Sequence, residues 1–284
     1  MKNIKENNLK IINYAPTGTQ TTKENSLAPI LPNEIIEDVH QAYEIGISLV
    51  HIHARDPFDF SNTYKSEVYQ IIIEGIRKYC QDLCICVSLS GRYFSDINKR
   101  SEVLFLKPDM ASLTMSSLNF PSGASVNNPE TINQLISNMN EHGVNPEIEC
   151  FDSGMLNYTN YLIGKKILNN PIYINVIFGN LFNAQTDPAT LSSIVSNLPQ
   201  NAMVCFGGIG KYQLQSNILG LLYADGLRIG LEDNLYYKDK LKTTNISLLK
   251  RIHRIMDEMN YNFLKPEEFK KFNYGNKKIN FVGS

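Results

Sequence analysis

The sequence lacks the features that would direct a protein to a membrane or to nucleic acid. None of its apolar runs approaches the ~20 residues needed to span a bilayer, and the first eight residues contain no apolar signal region. The formal net charge is only -1, so no long-range attraction draws the chain to nucleic acid or to an anionic membrane. We therefore expect a cytoplasmic protein that binds neither.

Cysteine is scarce and poorly spaced for cross-links. The five cysteines are an odd number without C-x-x-C spacing, which argues against a disulfide framework and a zinc ribbon. We interpret them as small core residues. The sequence also has no repeat, low-complexity stretch or shift in composition that would mark a second domain. Its 284 residues, 43% of them hydrophobic, are enough for one large α/β barrel.

Eight apolar or alternating segments recur along the chain at intervals that suit strands. They lie near residues 10–15, 47–53, 83–89, 109–115, 146–151, 172–179, 202–207 and 226–232. Amphipathic helical patterns fill most intervals, and Asn128-Pro129 and Asp187-Pro188 are typical helix starts. This alternation predicts a single (β/α)8 TIM barrel over residues 1–268, followed by a polar, basic C-terminal tail over residues 269–284.

Two histidines one residue apart end the second segment. Because side chains in a strand alternate between faces, His51 and His53 share one face and converge. Arg228, Gly230 and Glu232 share a face at the end of the eighth segment, where buried charges need partners. A Zn²⁺ ion held by His51, His53 and Glu232 would have the His₂Glu ligands of catalytic zinc sites. A pair of hydrogen-bonded histidines and an internal Arg228–Glu232 ion pair are the structural alternatives.

Other predicted strand ends would present polar groups to the same cavity. These are Ser88 and Ser90 in the third segment, Ser112, Thr114 and Ser116 in the fourth, and Glu147 and Glu149 in the fifth. Glu149 lies between apolar neighbours, so its carboxylate needs a partner. Gly207, Gly208 and Gly210 follow the seventh segment. They suit either a phosphate site at a helix N-terminus or a tight strand-to-helix turn.

Eight motifs together resemble the β-keto acid cleavage enzyme family. They are residues 17–22, 50–57, 107–113, 118–120, 146–149, 151–154, 208–210 and 228–234. The likeness runs in order from about residue 10 to residue 268. It implies a zinc-bearing (β/α)8 barrel with one zinc ion per chain, assembled as a homotetramer. It also implies an acyltransferase that cleaves a C–C bond, converting a β-keto acid and the co-substrate acetyl-CoA to acetoacetate and a new CoA thioester.

The resemblance also implies roles for individual residues. The family's metal ligands correspond to His51, His53 and Glu232. Its catalytic dyad, whose carboxylate removes a proton from the acetyl methyl group, corresponds to Arg228 and Asp233, and an acidic position near the reacting centre corresponds to Glu149. The positions that bind the substrate carboxylate and carbonyl correspond to Ser88, Ser112 and Thr114. We further predict that Gly207, Gly208 and Gly210 form the wall where CoA enters.

Two departures from the family pattern concern the substrate. Members that act on an amino-bearing keto acid have an acidic residue after the Thr-Gly motif, whereas this chain has the neutral Gln20. Because an amide cannot neutralise a buried ammonium, we expect a keto acid without one. Leu89 and Ser90 replace a more usual Thr-Gly after Ser88. Arg92 follows, and it either adds recognition of an anion or lies on the surface.

Two other functional classes are compatible with a barrel that carries an H-x-H motif. A metal-dependent hydrolase of the amidohydrolase type has this motif on the first strand and needs further histidines on later strands. Here the remaining residues His40, His142 and His253 lie in helical patterns. A non-catalytic metal-binding or ligand-binding barrel would need only the pocket.

Overall fold

Eight parallel strands form a closed barrel in the computed structural model, which describes residues 8–19, 27–121, 123–169 and 171–274. The strands are β1 (Leu9–Tyr14), β2 (Leu49–Ile52), β3 (Cys84–Val87), β4 (Met110–Thr114), β5 (Asn145–Cys150), β6 (Ile172–Phe178), β7 (Ala202–Gly208) and β8 (Gly226–Ile229). Neighbours pair in chain order, and β8 pairs with β1 to close the barrel. The predicted (β/α)8 TIM barrel is therefore confirmed.

Helices surround the barrel and connect its strands. They are α1 (Pro32–Ile45), α2 (Ser66–Tyr79), α3 (Ile97–Ser101), α4 (Pro129–His142), α5 (Ser153–Gly164), α6 (Pro188–Ser196), α7 (Gln213–Tyr223), α8 (Asn245–Glu258) and α9 (Pro266–Tyr274), with 3-10 turns at Glu102–Leu106 and Gly210–Tyr212. Asn128 and Asp187 cap α4 and α6 as predicted. In the described part of the chain, no helix combines the length and apolar character needed to cross a membrane.

In the residues that the structure describes, five short strands lie outside the eight-stranded closed barrel. Leu118–Phe120 and Gly123–Ser125 form an antiparallel hairpin after β4, and Tyr236–Lys238 pairs with Leu241–Lys242 after β8. Asn262–Phe263 runs parallel to the start of β1. The first hairpin matters for function because Phe120 projects from it into the cavity described below.

The bottom of the barrel is filled, so the interior is not a pore. Side chains from six strands form an inner cluster with Leu264 and Phe269, which come from the segment after α8. This cluster includes Cys84, Cys86 and Cys205. All five cysteines are free and buried, which confirms their interpretation as core residues.

Helix α9 contributes to this floor. The Phe269 ring is fully buried and packs edge-on against Tyr173, with ring centroids 5.4 Å apart. Lys270 Nζ lies 3.5 Å from Asp109 Oδ1. The predicted boundary between barrel and tail, at residues 268 and 269, therefore falls inside a packed helix. The buried Phe269 ring on this helix stabilises the floor of the barrel. Residues 275–284 of the predicted tail lie outside the described residues.

Glycines permit the close contact that closes the barrel. A Cβ atom at Gly226 would collide with the Ile11 carbonyl, and one at Gly230, where φ is +154°, would collide with the Ala15 carbonyl. No other residue allows β8 to approach β1 so closely. This approach brings the groups at the end of β8 near those at the end of β2.

Candidate active site

A cavity of about 250 Å³ opens at the carboxyl ends of the strands. Most of the predicted site residues line it, namely His51, His53, Ser88, Thr114, Glu149, Arg228, Glu232 and Asp233. They come from the ends of strands β2, β3, β4, β5 and β8. The barrel therefore brings together residues that are up to 182 positions apart (233 − 51).

Three of these residues form a candidate metal site. His51 lies in β2, His53 follows it, and Glu232 follows β8. Glu232 Oε1 lies 3.3 Å from His53 Nε2 and 3.7 Å from His51 Nε2. Donor atoms at the corners of a zinc tetrahedron are about 3.4 Å apart. His51 Nε2 is buried without a hydrogen-bond partner among the described residues. The residues present therefore fit a zinc ion.

Glu147 in β5 orients His51, the first of these candidate ligands. Its Oε2 atom accepts a hydrogen bond from His51 Nδ1 at 2.5 Å. A carboxylate behind a histidine ligand fixes the ring and increases its basicity. Burial opposes the charged form of His51, but the carboxylates of Glu232 and Glu147 outweigh burial and raise its pKa to about 9. The site thus favours positive charge at Nε2, supplied by a proton or by a metal ion.

The Glu147 carboxylate accepts hydrogen bonds on both oxygens. Asn13 Nδ2 and Asn175 Nδ2 donate to Oε1 at 2.6 and 2.7 Å, and Cys86 Sγ donates to Oε2 at 3.0 Å. Burial raises the pKa of the Cys86 thiol, so the thiol stays protonated and donates. Burial alone would raise the pKa of Glu147, but His51 and its other neighbours lower it to about 2. Sequence reasoning missed this support, although a lone asparagine within an apolar strand signals it.

Arg228 in β8 joins three carboxylates. Its Nε donates to Asp233 Oδ2 at 2.9 Å, Nη1 donates to Glu149 Oε1 at 3.3 Å, and Nη2 donates to Glu232 Oε1 at 2.6 Å. The Arg228–Glu232 ion pair named as an alternative to metal binding is therefore present, and it coexists with the converging histidines. Because three carboxylates surround one guanidinium, a further cation would be stabilised here.

The carboxylates differ in their electrostatics. Burial raises the pKa of Asp233 and of Glu149, and Arg228 opposes the shift in both cases. Burial would also raise the pKa of Glu232, but Arg228 and the two histidines hold it well below its usual range. A carboxylate with a raised pKa is a better proton acceptor. Asp233 therefore combines a place in the cavity with the properties of a base.

The predicted substrate-binding residues divide into two groups. Ser88 and Thr114 line the cavity, and Thr114 Oγ1 donates to a Glu149 oxygen at 2.9 Å. Ser112 does not line it, because its hydroxyl accepts from the backbone N–H of Leu89 at 3.0 Å and is buried. Ser112 therefore supports the β3 loop. Gln20 lies outside the described residues.

The three predicted cofactor-binding glycines also lie outside the cavity wall. A Cβ atom at Gly207 would lie 3.2 Å from Arg228 Cβ, and one at Gly208 would lie 2.7 Å from the Tyr212 carbonyl oxygen. Gly210, with φ at +58°, donates its N–H to the Asp233 carbonyl at 2.7 Å. The tight strand-to-helix turn explains all three glycines, and Gly207 leaves room for the Arg228 side chain.

The other histidines are remote from the cavity. His40 lies in α1, His142 ends α4, and His253 in α8 contacts the Gly46 carbonyl at 2.8 Å. The H-x-H motif lies at the end of β2 rather than on the first strand. Neither feature matches the amidohydrolase type.

Comparisons with known proteins agree with the geometry of the site. The model of the beta-keto acid cleavage enzyme family matches residues 10–272. The chain is 30% identical to 3-keto-5-aminohexanoate cleavage enzyme of Fusobacterium nucleatum, over 91% of this chain and 95% of that protein. It is also 30% identical to 3-oxoadipate:acetyl-CoA acetyltransferase of Cupriavidus necator, over 87% of this chain and 88% of that protein.

The fold comparison is consistent with this result. The apo structure of ObcA superimposes with a TM-score of 0.75 at 17% identity, over 87% of this chain and 65% of ObcA. At this identity the likeness supports the barrel fold alone. The match to the family model covers most of the chain and confirms the resemblance found from the motifs, and the named relatives are cleavage enzymes or acetyl-CoA-dependent transferases. The chain is an enzyme and belongs to the beta-keto acid cleavage enzyme family.

Proposed function

We propose that this enzyme uses one zinc ion per chain to convert a β-keto acid and acetyl-CoA to acetoacetate and a new CoA thioester. The observation that carries the proposal is the convergence of His51, His53 and Glu232 beside the Arg228–Asp233 pair in one cavity. His51, His53 and Glu232 would hold the metal ion. When bound, zinc would supply a Lewis acid for the keto oxygen.

Asp233 is the base of the proposed reaction. Arg228 aims its carboxylate through the 2.9 Å bond from Nε and also favours its charged form. The family resemblance suggests the acetyl methyl group as the source of the proton. The products favour C2 of the keto acid instead, because acetoacetate forms from the acetyl group and the CH₂COO⁻ unit only when C2 bonds to the thioester carbonyl.

The bonds of the reaction balance with this assignment. Asp233 takes a proton from C2, and C2 attacks the acetyl-CoA carbonyl and expels the CoA thiolate. The thiolate then attacks the keto carbon, and the bond between that carbon and C2 breaks. Acetoacetate leaves and takes a proton back from Asp233, while the remaining acyl group departs as the CoA thioester. The thiolate is thus conserved, and no further co-reactant is needed.

Mass spectrometry of the products tests the proposal. Zinc-loaded protein is incubated with a panel of β-keto acids and acetyl-CoA that carries ¹³C in both acetyl carbons. We expect both labels in acetoacetate and none in the new thioester. His51→Ala should lose the metal ion and the activity, whereas His142→Ala, a histidine substitution outside the cavity, should keep both. Full activity of metal-free wild-type protein would contradict the role of the metal.

We also propose that the chain assembles into a homotetramer. Leu181 and Phe182 are adjacent large apolar side chains that are 74% and 56% exposed in the single chain, as expected of residues covered by a subunit interface. Native mass spectrometry at micromolar concentration measures the assembly directly. A monomer under these conditions would refute this part of the proposal.

A further inference from the structure

The cavity contains a second guanidinium, that of Arg92 in the loop after β3. Its Cζ atom lies 3.6 Å from the centroid of the Phe120 ring, and Nη1 donates to Thr19 Oγ1 at 3.2 Å. Nε is buried and has no hydrogen-bond partner in the described part of the chain. None of the ion pairs found among the described residues includes Arg92. Arg92 therefore differs from Arg228, whose N–H groups are occupied by carboxylates.

A buried framework fixes the loop that carries this side chain. Leu89 donates its N–H to Ser112 Oγ at 3.0 Å, and its carbonyl accepts from Arg100 Nε at 2.8 Å. Arg92 donates its N–H to Ser90 Oγ at 3.3 Å. Because these hydrogen bonds anchor the residues directly before Arg92, they hold its backbone at the cavity.

The same contacts connect Arg92 to the candidate metal site. Thr19, which accepts from Arg92, follows Gly18, and a Cβ atom at Gly18 would collide with the Glu232 side chain. The segment of Gly18 and Thr19 thus packs directly on a proposed metal ligand. Since the shared cavity measures only about 250 Å³, a small substrate held at the metal ligands would also face Arg92.

We propose that Arg92 binds an anionic group on the substituent of the keto acid, so that the preferred substrates are β-keto acids with a second carboxylate. This inference rests on the proposed function. A guanidinium stacked on an aromatic ring keeps its N–H edge available, and this edge matches the two oxygens of a carboxylate. A partly buried cation without a counter-charge also favours an anionic ligand. The keto acid's own carboxylate is expected at Ser88 and Thr114, which leaves Arg92 for the second one.

The phosphates of CoA offer the same oxyanion chemistry, so the experiment separates the two sources. The test compares 3-oxoadipate with 3-oxohexanoate, which has the same carbon chain but a methyl group in place of the second carboxylate. Values of kcat and KM for each keto acid and for acetyl-CoA are measured with the zinc-loaded wild type, Arg92→Gln and Arg92→Lys.

The wild type should prefer 3-oxoadipate. Arg92→Gln should lower kcat/KM for this substrate about 10- to 100-fold, mainly through KM, because a charge-assisted hydrogen-bonded pair is lost. It should change kcat/KM for 3-oxohexanoate less than about threefold. Arg92→Lys should recover part of the loss, since it restores the charge without the planar fork.

Arg254→Gln is the matched control. It also removes one positive charge, but Arg254 is exposed on α8 and contacts the Tyr237 hydroxyl at 3.1 Å, so both substrates should react as in the wild type.

An equal loss for both keto acids in Arg92→Gln would indicate a structural role and overturn the inference. A raised KM for acetyl-CoA with unchanged substrate preference would assign Arg92 to CoA and also overturn it. Turnover of 3-oxohexanoate in preference to 3-oxoadipate would refute the substrate class and leave the proposed function intact, whereas no thioester from any keto acid would refute the proposed function itself.

Discussion

Replacing Glu147 by glutamine would change one oxygen of the buried network to NH₂ and keep its shape. All four contacts of this carboxylate come from donors, including His51 Nδ1 at 2.5 Å and Asn175 Nδ2 at 2.7 Å. The new NH₂ group must therefore face a donor in either orientation. If it faces His51, the imidazole proton must move to Nε2, which is the atom needed for the metal ion. If it faces Asn13 and Asn175, two buried amides must reorient.

The expected loss of metal affinity follows from this conflict. Removing the carboxylate partner of a histidine ligand typically weakens metal binding about 10- to 100-fold, or about 1.4 to 2.7 kcal/mol. In the metal-free protein, Glu147→Gln removes charge-assisted hydrogen bonds but also removes a buried charge. These effects oppose each other, so we expect the free energy of unfolding to change by less than about 3 kcal/mol.

Competition with a chromophoric zinc chelator measures the affinity, and urea unfolding without metal measures the stability. Glu102→Gln is a matched control, because Glu102 is also a carboxylate that accepts two hydrogen bonds, from Ser66 N at 3.0 Å and Ser66 Oγ at 2.9 Å, but it lies outside the cavity lining. It should leave zinc affinity unchanged. Wild-type affinity in a folded Glu147→Gln protein would refute the reasoning about the imidazole proton.

Three further predictions concern the base, the barrel floor and pH. Asp233→Asn should keep the zinc ion and the fold but lower kcat by at least about 100-fold, which product analysis and metal analysis would check together. Phe269→Ala should lower the free energy of unfolding, measured by urea titration, by about 3 to 5 kcal/mol because it leaves a cavity in the floor of the barrel. A loss of less than about 1 kcal/mol would contradict the packing role of this ring. Burial raises the pKa of Asp38 from 3.8 to about 6, so its contribution to stability is present below the unfolded pKa and is lost as pH rises through about 6. Asp38→Asn should flatten the profile of unfolding free energy between about pH 4 and pH 7, and an unchanged slope would refute this assignment.

The barrel could be predicted because the sequence patterns that indicate its strands and helices are local. Alternation within each strand and capping residues such as Asn128 and Asp187 depend on only a few neighbours in sequence. Once eight strands are counted, the fold itself brings their carboxyl ends to one rim. This is why His51, His53 and Glu232 could be grouped before any contact was known.

Depth within the barrel could not be predicted in the same way. Glu147 and Glu149 are two residues apart on one strand face, and the apolar neighbours that single out Glu149 do not show which carboxylate lies deeper in the barrel. In the structure Glu147 lies below the cavity and holds His51, whereas Glu149 lines the cavity and contacts Arg228. The difference depends on the stagger between neighbouring strands, which is a tertiary property.

Isolated residues in polar or glycine-rich segments were equally difficult. Phe269 lies in a charged segment, between Glu268 and Lys270, and its burial depends on where the chain returns after α8. Gly208 resembles part of a phosphate site, but the close approach of the Tyr212 backbone explains it fully. Neither outcome follows from spacing alone, because both depend on contacts with elements that are distant along the chain or on the path of the following turn.

The seam where β8 pairs with β1 has a consequence for the order of folding. β1 lies between β2, which carries His51, and β8, which leads to Glu232. The proposed metal ligands therefore come from the two ends of the chain, which meet only where β8 pairs with β1. We expect this pairing to form late in folding, because contacts between the two ends of a chain carry a large entropic cost of loop closure. We therefore expect the three proposed ligands to come together only when β8 pairs with β1, so that a partly folded chain offers the metal ion an incomplete site.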